Sequence, residues 1–599
     1  MPKKHHGPRV VEKAKDFKGT LKKFIKSLKE YKFKIIIIII FAFLSTIFAI
    51  VGPKLLGNAT TLLFEGFVSK ISGGLGIDFG SIGKILIILL MLYVISAIFS
   101  YVQGIIMTSV SQNYTYKLRN KVINKINKLP FKYFDKKTSG DVLSIITNDI
   151  DTIGQSLNQS AIELITSTTT IIGVLVMMVS ISVTMTLITV TILPLSIIVT
   201  SFIVSKSQKH FKNQQNYLAE VNSEVEEILS GYHIIKAFNR EEQMLSKFEN
   251  DNLKLRDSVR KSQFISGLMM PIMNFLSNIG YVLVAVFGTY FAVKGKITVG
   301  NIQSFISYSK NFTRPISSFA QVLNILQSMV AASERVFEFL EEPEEKLEKG
   351  KKLKNIKGTV EFKNVRFGYN EDKIVINNFN ALIKPGQKVA IVGPTGAGKT
   401  TIVKLLMRFY ELNSGEILID GKNILNYSKK ELRKSIGMVL QDAFLFSGSI
   451  MDNLRYGNLE ASDDEVIRAA KKAYVHRIIK TLPNGYDMII NEETSNISIG
   501  QKQLITIARA ILSNPKILIL DEATSSVDTR TEILIQKAMK ELMKNKTSFI
   551  IAHRLSTIKD ADVIMVMYDG DILEICNHHS LLQNNSYYSK LYNSQFEEV

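Results

Sequence analysis

Apolar residues concentrate in the first 330 positions, where long uncharged stretches alternate with basic segments. A membrane helix needs about 20 mostly apolar residues, and a charge at its centre is costly. Four uncharged stretches predict spans, and they are Ile35–Pro53, Ile85–Tyr116, Leu164–Ser205 and Ser262–Val293. Ile297–Ser333 carries only Lys310 and Arg314 and predicts a further span. Leu164–Ser205 has 42 residues, enough for two spans with a tight turn near Val183. The pattern therefore predicts six spans, since six buried helices of a water-soluble protein would not be expected to lack charge together.

The basic segments predict the orientation of these spans. Segments 1–34, 117–163 and 206–261 are long and rich in Lys and Arg, so they are expected on the cytoplasmic side. An even number of spans returns the chain to the cytoplasm, with both termini there. The net charge is +20, from 74 basic and 54 acidic residues, and the basic residues flank apolar spans. This arrangement favours contact with a lipid bilayer and no nucleic-acid partner.

Four regions follow from these patterns. Residues 1–34 space Phe17, Leu21, Phe24 and Leu28 as an amphipathic helix on the membrane surface, with a disordered basic tail as the alternative. Residues 35–335 form a transmembrane domain whose helices extend into the cytoplasm. A charged linker covers 336–357, and residues 358–599 form a nucleotide-binding domain. The only cysteine is Cys576, so no disulfide forms within the chain.

The strongest motif is Gly393–Thr400, which matches the P-loop pattern of glycines followed by Lys and Thr. An apolar strand pattern, Val389–Val392, precedes it and a helical pattern follows it. Glycines let the backbone approach phosphate closely, and N–H groups at a helix N-terminus bind the anion. The expected ATP-binding residues of the loop are Gly393, Pro394, Thr395, Gly396, Ala397, Gly398, Lys399, Thr400 and Thr401. Lys399 would reach the β- and γ-phosphates, and Thr400 would hold Mg²⁺.

Two further strand patterns end in polar residues. The buried run Lys516–Leu520 ends in Asp521 and Glu522, the Walker B pattern. Asp521 is expected to contact Mg²⁺, and Glu522 to act as the general base for the attacking water. Ser548–Ala552 ends in His553, and because parallel strands converge on a ligand at their carboxyl ends, this histidine is a further catalytic candidate.

The order of these motifs resembles that of ATP-binding cassette (ABC) proteins. Ile497–Gln503 resembles the family's signature motif, and Gln441, Asp528 and His553 stand in the expected order around it. Six spans before one cassette resemble a half-transporter of the type IV ABC exporter class. The implied fold class is an all-α polytopic membrane domain with six transmembrane helices, followed by an α/β P-loop ABC nucleotide-binding domain.

The resemblance implies roles at matching positions. Tyr369 would stack on adenine, and Gln441 would sense the γ-phosphate through Mg²⁺. Ser498, Ile499, Gly500 and Gln501 would face ATP held by a second half-transporter, with Asp528 bridging the two sites and His553 orienting phosphate and water. The family's coupling elements correspond to Phe134–Asp141 and Ser230–Phe238, and the acidic pair Glu492 and Glu493 stands where relatives contact a partner's coupling helix.

The signature departs from the family's Leu-Ser-Gly-Gly-Gln at two places, Ile497 and Ile499. Ile499 puts a β-branched side chain where the backbone should approach a phosphate. Because Lys399, Asp521 and Glu522 are intact, the mismatch favours a heterodimer with unequal ATP sites, in which this subunit keeps the catalytic glutamate. A homodimer that tolerates Ile499 is the alternative.

The predicted function is ATP-driven export of hydrophobic or amphiphilic compounds, of the multidrug type, across the bacterial cytoplasmic membrane. The alternative is a lipid or glycolipid flippase of the same architecture. ATP and Mg²⁺ are the expected cofactors, and a hydrophobic small molecule is the expected substrate. An ATP-gated channel or regulator is disfavoured by the intact Glu522 and His553. Aromatic side chains that could line a substrate pocket are Tyr93, Tyr101, Phe275, Tyr281 and Phe287.

Overall fold

The computed structural model describes residues 14–345, 356–370, 373–491, 496–521, 527–552, 558–583 and 586–596. The chain divides into two compact units. The first contains Met1–Lys128 and Lys137–Pro343, and the second contains Leu129–Lys136 and Glu344–Val599. The short segment Leu129–Lys136 therefore belongs to the second unit, although the sequence on both sides of it belongs to the first.

The regular elements described in the first half of the chain are all helical. Its helices are α1 (Phe17–Ser27), α2 (Lys32–Ile71), α3 (Phe79–Ile126), α4 (Phe131–Lys136), α5 (Ser139–Ser144), α6 (Ile150–Ile181), α7 (Val183–Val190), α8 (Ile192–Ser230), α9 (Tyr232–Ala237), α10 (Glu241–Gly267), α11 (Met269–Val293) and α12 (Val299–Glu341). A 3₁₀ turn, Leu28–Tyr31, joins α1 to α2, and a π-helical turn, Ile145–Asp149, joins α5 to α6.

Among the described residues, five helical stretches are long and apolar enough to cross a membrane: Phe17–Ile71, Phe79–Ile126, Ser139–Ile181, Val183–Ser230 and Glu241–Val293. The predicted sixth span lies in α12, Val299–Glu341, which is not among these five stretches. Helices are the expected solution here because lipid offers no partner for backbone N–H and C=O groups. The prediction of a helical membrane domain is confirmed.

The predicted turn near Val183 is present. Ser182 adopts an extended backbone after α6, and its side chain accepts a hydrogen bond from Met185 N, which caps α7. The helices also continue beyond the apolar spans, as α8 runs to Ser230 and α12 runs to Glu341. The end of α12 thus extends past 336, where the linker was predicted to begin, because Val336 and Phe339 are buried at helical spacing.

Helices α2 and α12 approach each other closely at two glycines. A Cβ atom built on Gly300 would collide with the carbonyl oxygen of Gly57 and with Thr61 Oγ1. One and two turns further along, Ser304 Oγ donates to Pro53 O at 2.9 Å and Tyr308 OH donates to Ile50 O at 2.9 Å. Pro53 lacks an N–H and interrupts the hydrogen bonding of α2, so the side chains of α12 stabilise carbonyl groups near this interruption.

The far end of α12 is tied to α1 and to the π-helical turn. Glu334 accepts hydrogen bonds from the backbone N–H groups of Lys15 and Asp16, both at 2.9 Å. Arg335 Nε donates to the buried carboxylate of Asp149 at 3.0 Å. Because Asp149 lies in the π-helical turn, this charge-assisted pair fixes the start of α6 against α12.

The second half of the chain contains three sheets. The strands are β1 (Val360–Asn370), β2 (Lys373–Ile383), β3 (Lys388–Val392), β4 (Ser414–Ile419), β5 (Lys422–Asn423), β6 (Ile436–Val439), β7 (Gly448–Ser449), β8 (Ile489–Ile490), β9 (Ile517–Asp521), β10 (Thr547–Ile551), β11 (Val563–Tyr568) and β12 (Asp571–Cys576). The central sheet has the order β12-β11-β3-β10-β9-β6, in which β12 alone is antiparallel to its neighbour. The sheet β2-β1-β4-β5 is antiparallel, and β7 pairs with β8.

Helices pack around these sheets. They are α13 (Lys399–Leu406), α14 (Lys429–Ser435), α15 (Ile450–Arg455), α16 (Asp463–Lys472), α17 (His476–Thr481), α18 (Ile499–Ser513), α19 (Thr529–Met543), α20 (His578–Gln583) and α21 (Tyr587–Phe596). The apolar residues of β9 and β3 are fully buried, as expected for parallel strands covered on both faces. The predicted α/β nucleotide-binding fold is confirmed.

We predict that Gly300→Ala destabilises the membrane unit, because its Cβ would collide with backbone of α2. Overpacking of this kind costs roughly 1–3 kcal/mol, so the melting temperature in detergent should fall by several degrees. The matched control is Gly104→Ala in α3, where an added Cβ meets nothing within 4 Å. Because Ala favours helix over Gly, that variant should melt at the same or a higher temperature. Equal melting temperatures for both variants would contradict the close approach of α2 and α12.

Candidate nucleotide site and coupling surfaces

The P-loop connects β3 to α13 and folds as a glycine-shaped cradle. Gly393, Gly396 and Gly398 have φ angles of 151°, 89° and 96°, which other residues rarely adopt. A Cβ on Gly393 would collide with Met567 O, and one on Gly398 would lie 2.7 Å from Ile376 Cδ1. At Gly393 and Gly398, the lack of space for a side chain and the backbone conformation both require glycine, as expected for a phosphate-binding loop.

Lys399 begins α13 and points back over this cradle. Its ammonium donates to Gly393 O at 2.6 Å and to Pro394 O at 3.0 Å. The side chain is buried, and burial lowers its pKa, while the charge of Asp521 acts in the opposite direction. A buried ammonium that donates to neutral carbonyl groups is suited to an anionic ligand. The residues present therefore fit the triphosphate of a nucleotide.

The carboxyl ends of four parallel strands bring the other predicted site residues to one edge of the central sheet. β3 leads into the P-loop, and β9, two strands away, ends at Asp521. Val439 pairs with Leu520, so Gln441 follows the strand next to Asp521 and is exposed there. Glu522 and His553 lie outside the described residues; in the sequence they directly follow Asp521 and Ala552.

Tyr369 on β1 lies next to the helix that follows the P-loop. Its hydroxyl is 3.2 Å from Thr401 Oγ1, and its ring packs edge-on against Tyr410 with 5.1 Å between the centroids. The side chain is half-buried. The antiparallel sheet thus brings this aromatic ring beside the predicted phosphate site, which is where a ring that stacks on a nucleotide base must be. Its contact with adenine stays a prediction.

The signature residues form the start of α18. Ser498 is the N-cap, and its hydroxyl accepts from Gln501 N at 3.3 Å while Gln501 Oε1 accepts from Ser498 N at 3.0 Å. This reciprocal capping box stabilises the first turn of the helix. Ile499 is 58% exposed, so its side chain lies on the surface of this unit. Free N–H groups at such a helix start can bind an anion.

Gly500 is required by packing within the chain. A Cβ there would lie 2.5 Å from Thr531 Cγ2 and 2.8 Å from Val527 Cγ1. Asp528 caps α19 by accepting a hydrogen bond from Thr531 N at 2.9 Å, and this bond lowers the pKa of the carboxyl group. Both residues were predicted to serve a dimer interface. Each also has a structural role that no sequence motif indicated.

Arg509 is a central residue that the sequence analysis missed. From α18 its guanidinium donates to Asn453 O at 2.9 Å, to Asn453 Oδ1 at 3.0 Å and to Phe444 O at 3.2 Å. Burial lowers its pKa. It therefore ties the signature helix to the segment that follows Gln441. An arginine inside an apolar helical pattern was the only signal, and its partners are 56 and 65 residues away in the sequence.

The segment Leu129–Lys136 packs on α13 and the residues after it. The rings of Phe131 and Phe409 stack with 4.9 Å between their centroids. Lys404 Nζ lies 5.4 Å from the centroid of Phe131. The predicted coupling element was Phe134–Asp141, which includes Asp135 but not Phe131. No sequence signal indicated Phe131, because its partner Phe409 is far away in the sequence and becomes adjacent only in the folded unit.

A partly exposed polar contact accompanies this aromatic stack. The carboxylate of Asp135 accepts a hydrogen bond from the hydroxyl of Tyr410 and lies 3.4 Å from Lys404 Nζ. Burial raises the pKa of Tyr410, and the neighbouring Asp135 raises it further. Since Tyr410 also contacts Tyr369, the segment is connected to the side of the nucleotide site.

The second predicted coupling element forms the short helix α9 and the residue after it. Its apolar side chains Tyr232, Ile234 and Phe238 are 51%, 65% and 72% exposed. The acidic pair Glu492 and Glu493 lies outside the described residues.

Of the aromatic residues predicted to line a pocket, Tyr93 rests against Gly52, where an added Cβ would collide with its ring. Tyr101 and Phe275 are 70% and 64% exposed, and Tyr281 and Phe287 are 45% and 39% exposed.

Comparison with known families places two models on the chain. One, described as the ABC transporter transmembrane region, matches residues 35–316. The other, described as ABC transporter, matches residues 376–525. The second range contains the P-loop, Gln441, the signature residues and the Walker B strand.

Several known proteins are similar over most of their length. A Mycobacterium tuberculosis protein named fatty acid ABC transporter ATP-binding/permease protein is 42% identical over 610 residues, covering 97% of each chain. The ATP-dependent lipid A-core flippase of Syntrophus aciditrophicus is 35% identical over 512 residues, covering 85% of each. A solved structure of a bacterial Atm1-family ABC exporter with ATP bound has a TM-score of 0.71 and 26% identity, covering 95% of this chain and 98% of that one.

We predict that Gly500→Ala lowers the melting temperature in the absence of nucleotide, because the new methyl group would collide with Thr531 and Val527. Adding Thr531→Ser removes the nearer of the two colliding methyl groups and keeps the backbone N–H that Asp528 caps. The double variant should therefore recover part of the lost stability. A Gly500→Ala variant with unchanged melting but impaired ATPase would instead assign this glycine to ligand approach alone.

Proposed function

Because this chain belongs to the ABC transporter family, with a transmembrane region followed by an ATP-binding domain, we propose that it exports hydrophobic or amphiphilic compounds across the bacterial cytoplasmic membrane. It is a multi-pass membrane protein and an ATPase coupled to transport. The observation that carries the proposal is the P-loop cradle with its buried Lys399, in one chain with five apolar spans. Both termini are expected on the cytoplasmic side, where ATP is available.

The proposed chemistry is hydrolysis of ATP by an attacking water. Thr400, Gln441 and Asp521 would hold Mg²⁺, which when bound would neutralise the phosphate charge. Glu522 would accept the proton of the water, and His553 would orient the water and the γ-phosphate. Their positions in the sequence after β9 and β10, at the edge where Lys399 and Asp521 lie, support this assignment.

The substrate is proposed from three observations. The spans are long and mostly uncharged, and a large part of their apolar surface is exposed in the single chain. One similar protein is named a fatty acid transporter, and another a lipid A-core flippase. These observations support a lipophilic substrate. They are equally compatible with the second candidate, a lipid or glycolipid flippase, and with a multidrug exporter.

We propose that the chain works as one half of a dimer. The start of α18 and Asp528 are exposed, and helix α9 presents apolar side chains at its surface. A second half-transporter would cover these surfaces, with its own ATP against Ser498. Ile499 supports a heterodimer over a homodimer, because an exposed isoleucine side chain would limit how closely the partner's phosphate reaches the helix start.

We predict that Glu522→Gln in full-length protein in lipid nanodiscs lowers ATP turnover by roughly 10²–10⁴, the usual contribution of a general base. ATP binding should persist, because the P-loop is unchanged, and binding of a fluorescent ATP analogue checks this. Near-normal turnover in the variant would contradict the assignment of Glu522.

The same preparation of the unsubstituted chain tests the dimer. Strong, Glu522-dependent turnover by the chain alone would show a functional homodimer and would contradict the unequal-site proposal. Folded, ATP-binding protein without turnover would support the need for a different partner. Stimulation by lipids and not by drug-like amphiphiles would favour the flippase over the multidrug exporter.

We predict that Ile499→Gly changes turnover little in an assembled heterodimer, because the site that this signature covers contributes little hydrolysis. The measurement is ATPase activity of the assembled transporter, with nucleotide-free melting temperature as a control for folding. A large gain in turnover would favour two equivalent sites.

A further inference from the structure

Helix α12 carries a continuous polar stripe. Polar residues recur in its sequence at alternating steps of four and three positions, which places them on one helical face. They are Gln303, Ser307, Lys310, Arg314, Ser317, Gln321, Asn324 and Ser328. Gln303 and Lys310 are exposed in the chain, whereas Phe305, Tyr308 and Phe312 on other faces are buried.

The contacts between α2 and α12 fix the depth of Lys310. Gly300 lies against Gly57 and Tyr308 binds Ile50 O, so the two helices run antiparallel in a defined register. Continuing this register by two residues places Lys310 level with Phe48. The uncharged run of α2 between Lys34 and Lys54 has its middle at Leu44, so Lys310 lies about 6 Å from the middle at 1.5 Å per residue. Arg314, one turn further, is level with Leu44 itself.

Among the residues that the structure describes, none provides a counter-charge in contact with Lys310. Within the described residues, Lys310 forms neither an ion pair nor a hydrogen bond. The contact of Arg335 with Asp149 sets the register of α12 against α6 and places Val174, a buried apolar residue, opposite Lys310. Glu163, the nearer of the two acidic residues of α6, is then about 16 Å further along the helix axis.

An ionisable residue inside a membrane helix marks a substrate or ion path. We infer that Lys310 binds the anionic head group of an amphiphilic substrate, a carboxylate or a phosphate. The polar stripe supplies a hydrated face for the head group, and the surrounding apolar helices supply a surface for its chain. This inference rests on the proposed function, because it names the substrate class of the same export path.

The test uses the full-length chain in lipid nanodiscs, assembled with its partner subunit if turnover requires one. ATPase activity is titrated with four probes that share a 16-carbon chain: hexadecanoate, hexadecyl phosphate, hexadecanol and hexadecyltrimethylammonium. The variants are Lys310→Gln, Lys310→Arg and the matched control Lys296→Gln, which removes a lysine from the loop before α12. Melting temperature and size-exclusion profile verify folding of each variant.

We expect an anionic probe to stimulate turnover at a lower concentration than hexadecanol or the cationic probe. Lys310→Gln should raise the half-maximal concentration of that anionic probe about tenfold or more, whereas Lys310→Arg and Lys296→Gln should leave it near the original value. Whichever anion is stronger, hexadecanoate or hexadecyl phosphate, identifies the head group and supports the inference.

Three outcomes would overturn it. If the unsubstituted protein responds to anions but Lys310→Gln keeps the same half-maximal concentration, this inference fails and amphiphile export stands. If Lys310→Gln lowers unstimulated turnover or assembly without shifting the response, Lys310 serves an ion pair with the partner subunit. If an ATP-hydrolysing parent responds to none of the four probes, the proposed export function itself fails.

Discussion

The packing of Leu129–Lys136 on α13 and the residues after it is the interaction on which the proposed coupling depends. Phe131 stacks on Phe409, and Asp135 binds Tyr410 and Lys404. These partners lie on or just after α13, the helix that begins at the P-loop. A ligand on the P-loop would therefore act at the start of α13, and side chains on and just after this helix hold Leu129–Lys136 in place.

The contact also explains the crowding of aromatic residues beside the nucleotide site. Tyr410 touches Phe131, Phe367 and Tyr369 at once. Aromatic pairs of this geometry add about 0.5–1.5 kcal/mol each beyond the area they bury. The same cluster thus stabilises the antiparallel sheet and holds the expected base-stacking tyrosine in place. It also anchors α4, so binding and coupling share one set of side chains.

In the membrane unit the corresponding constraint is the close approach of α2 and α12. Glycines at the contact let the backbones meet, and Ser304 and Tyr308 satisfy carbonyl groups near Pro53. Small residues and hydrogen bonds are the means by which helices associate in lipid, where the hydrophobic effect offers little. This packing orients α12 so that Phe305 and Tyr308 are buried while Gln303 and Lys310 remain exposed.

The sequence by itself determined the helical membrane domain, the α/β domain and the family, because hydropathy, strand patterns and the P-loop are local signals. It also located the turn at Ser182 and the strand ending at Asp521. It did not reveal that Gly500 is required by Thr531 and Val527, or that Arg509 reaches Asn453 and Phe444. Those contacts join residues far apart in the sequence, and no spacing rule encodes them.

The tertiary structure alone decided the depth of Lys310 relative to the neighbouring helices. Its depth follows from the register of α12 on α2, which is set by two glycines and a tyrosine hydroxyl and has no counterpart in composition. The stripe that contains Lys310 can be read in the sequence. Its position near the middle of the uncharged run of α2, opposite an apolar residue of α6, follows from packing, because depth in a membrane is a property of how helices fit together.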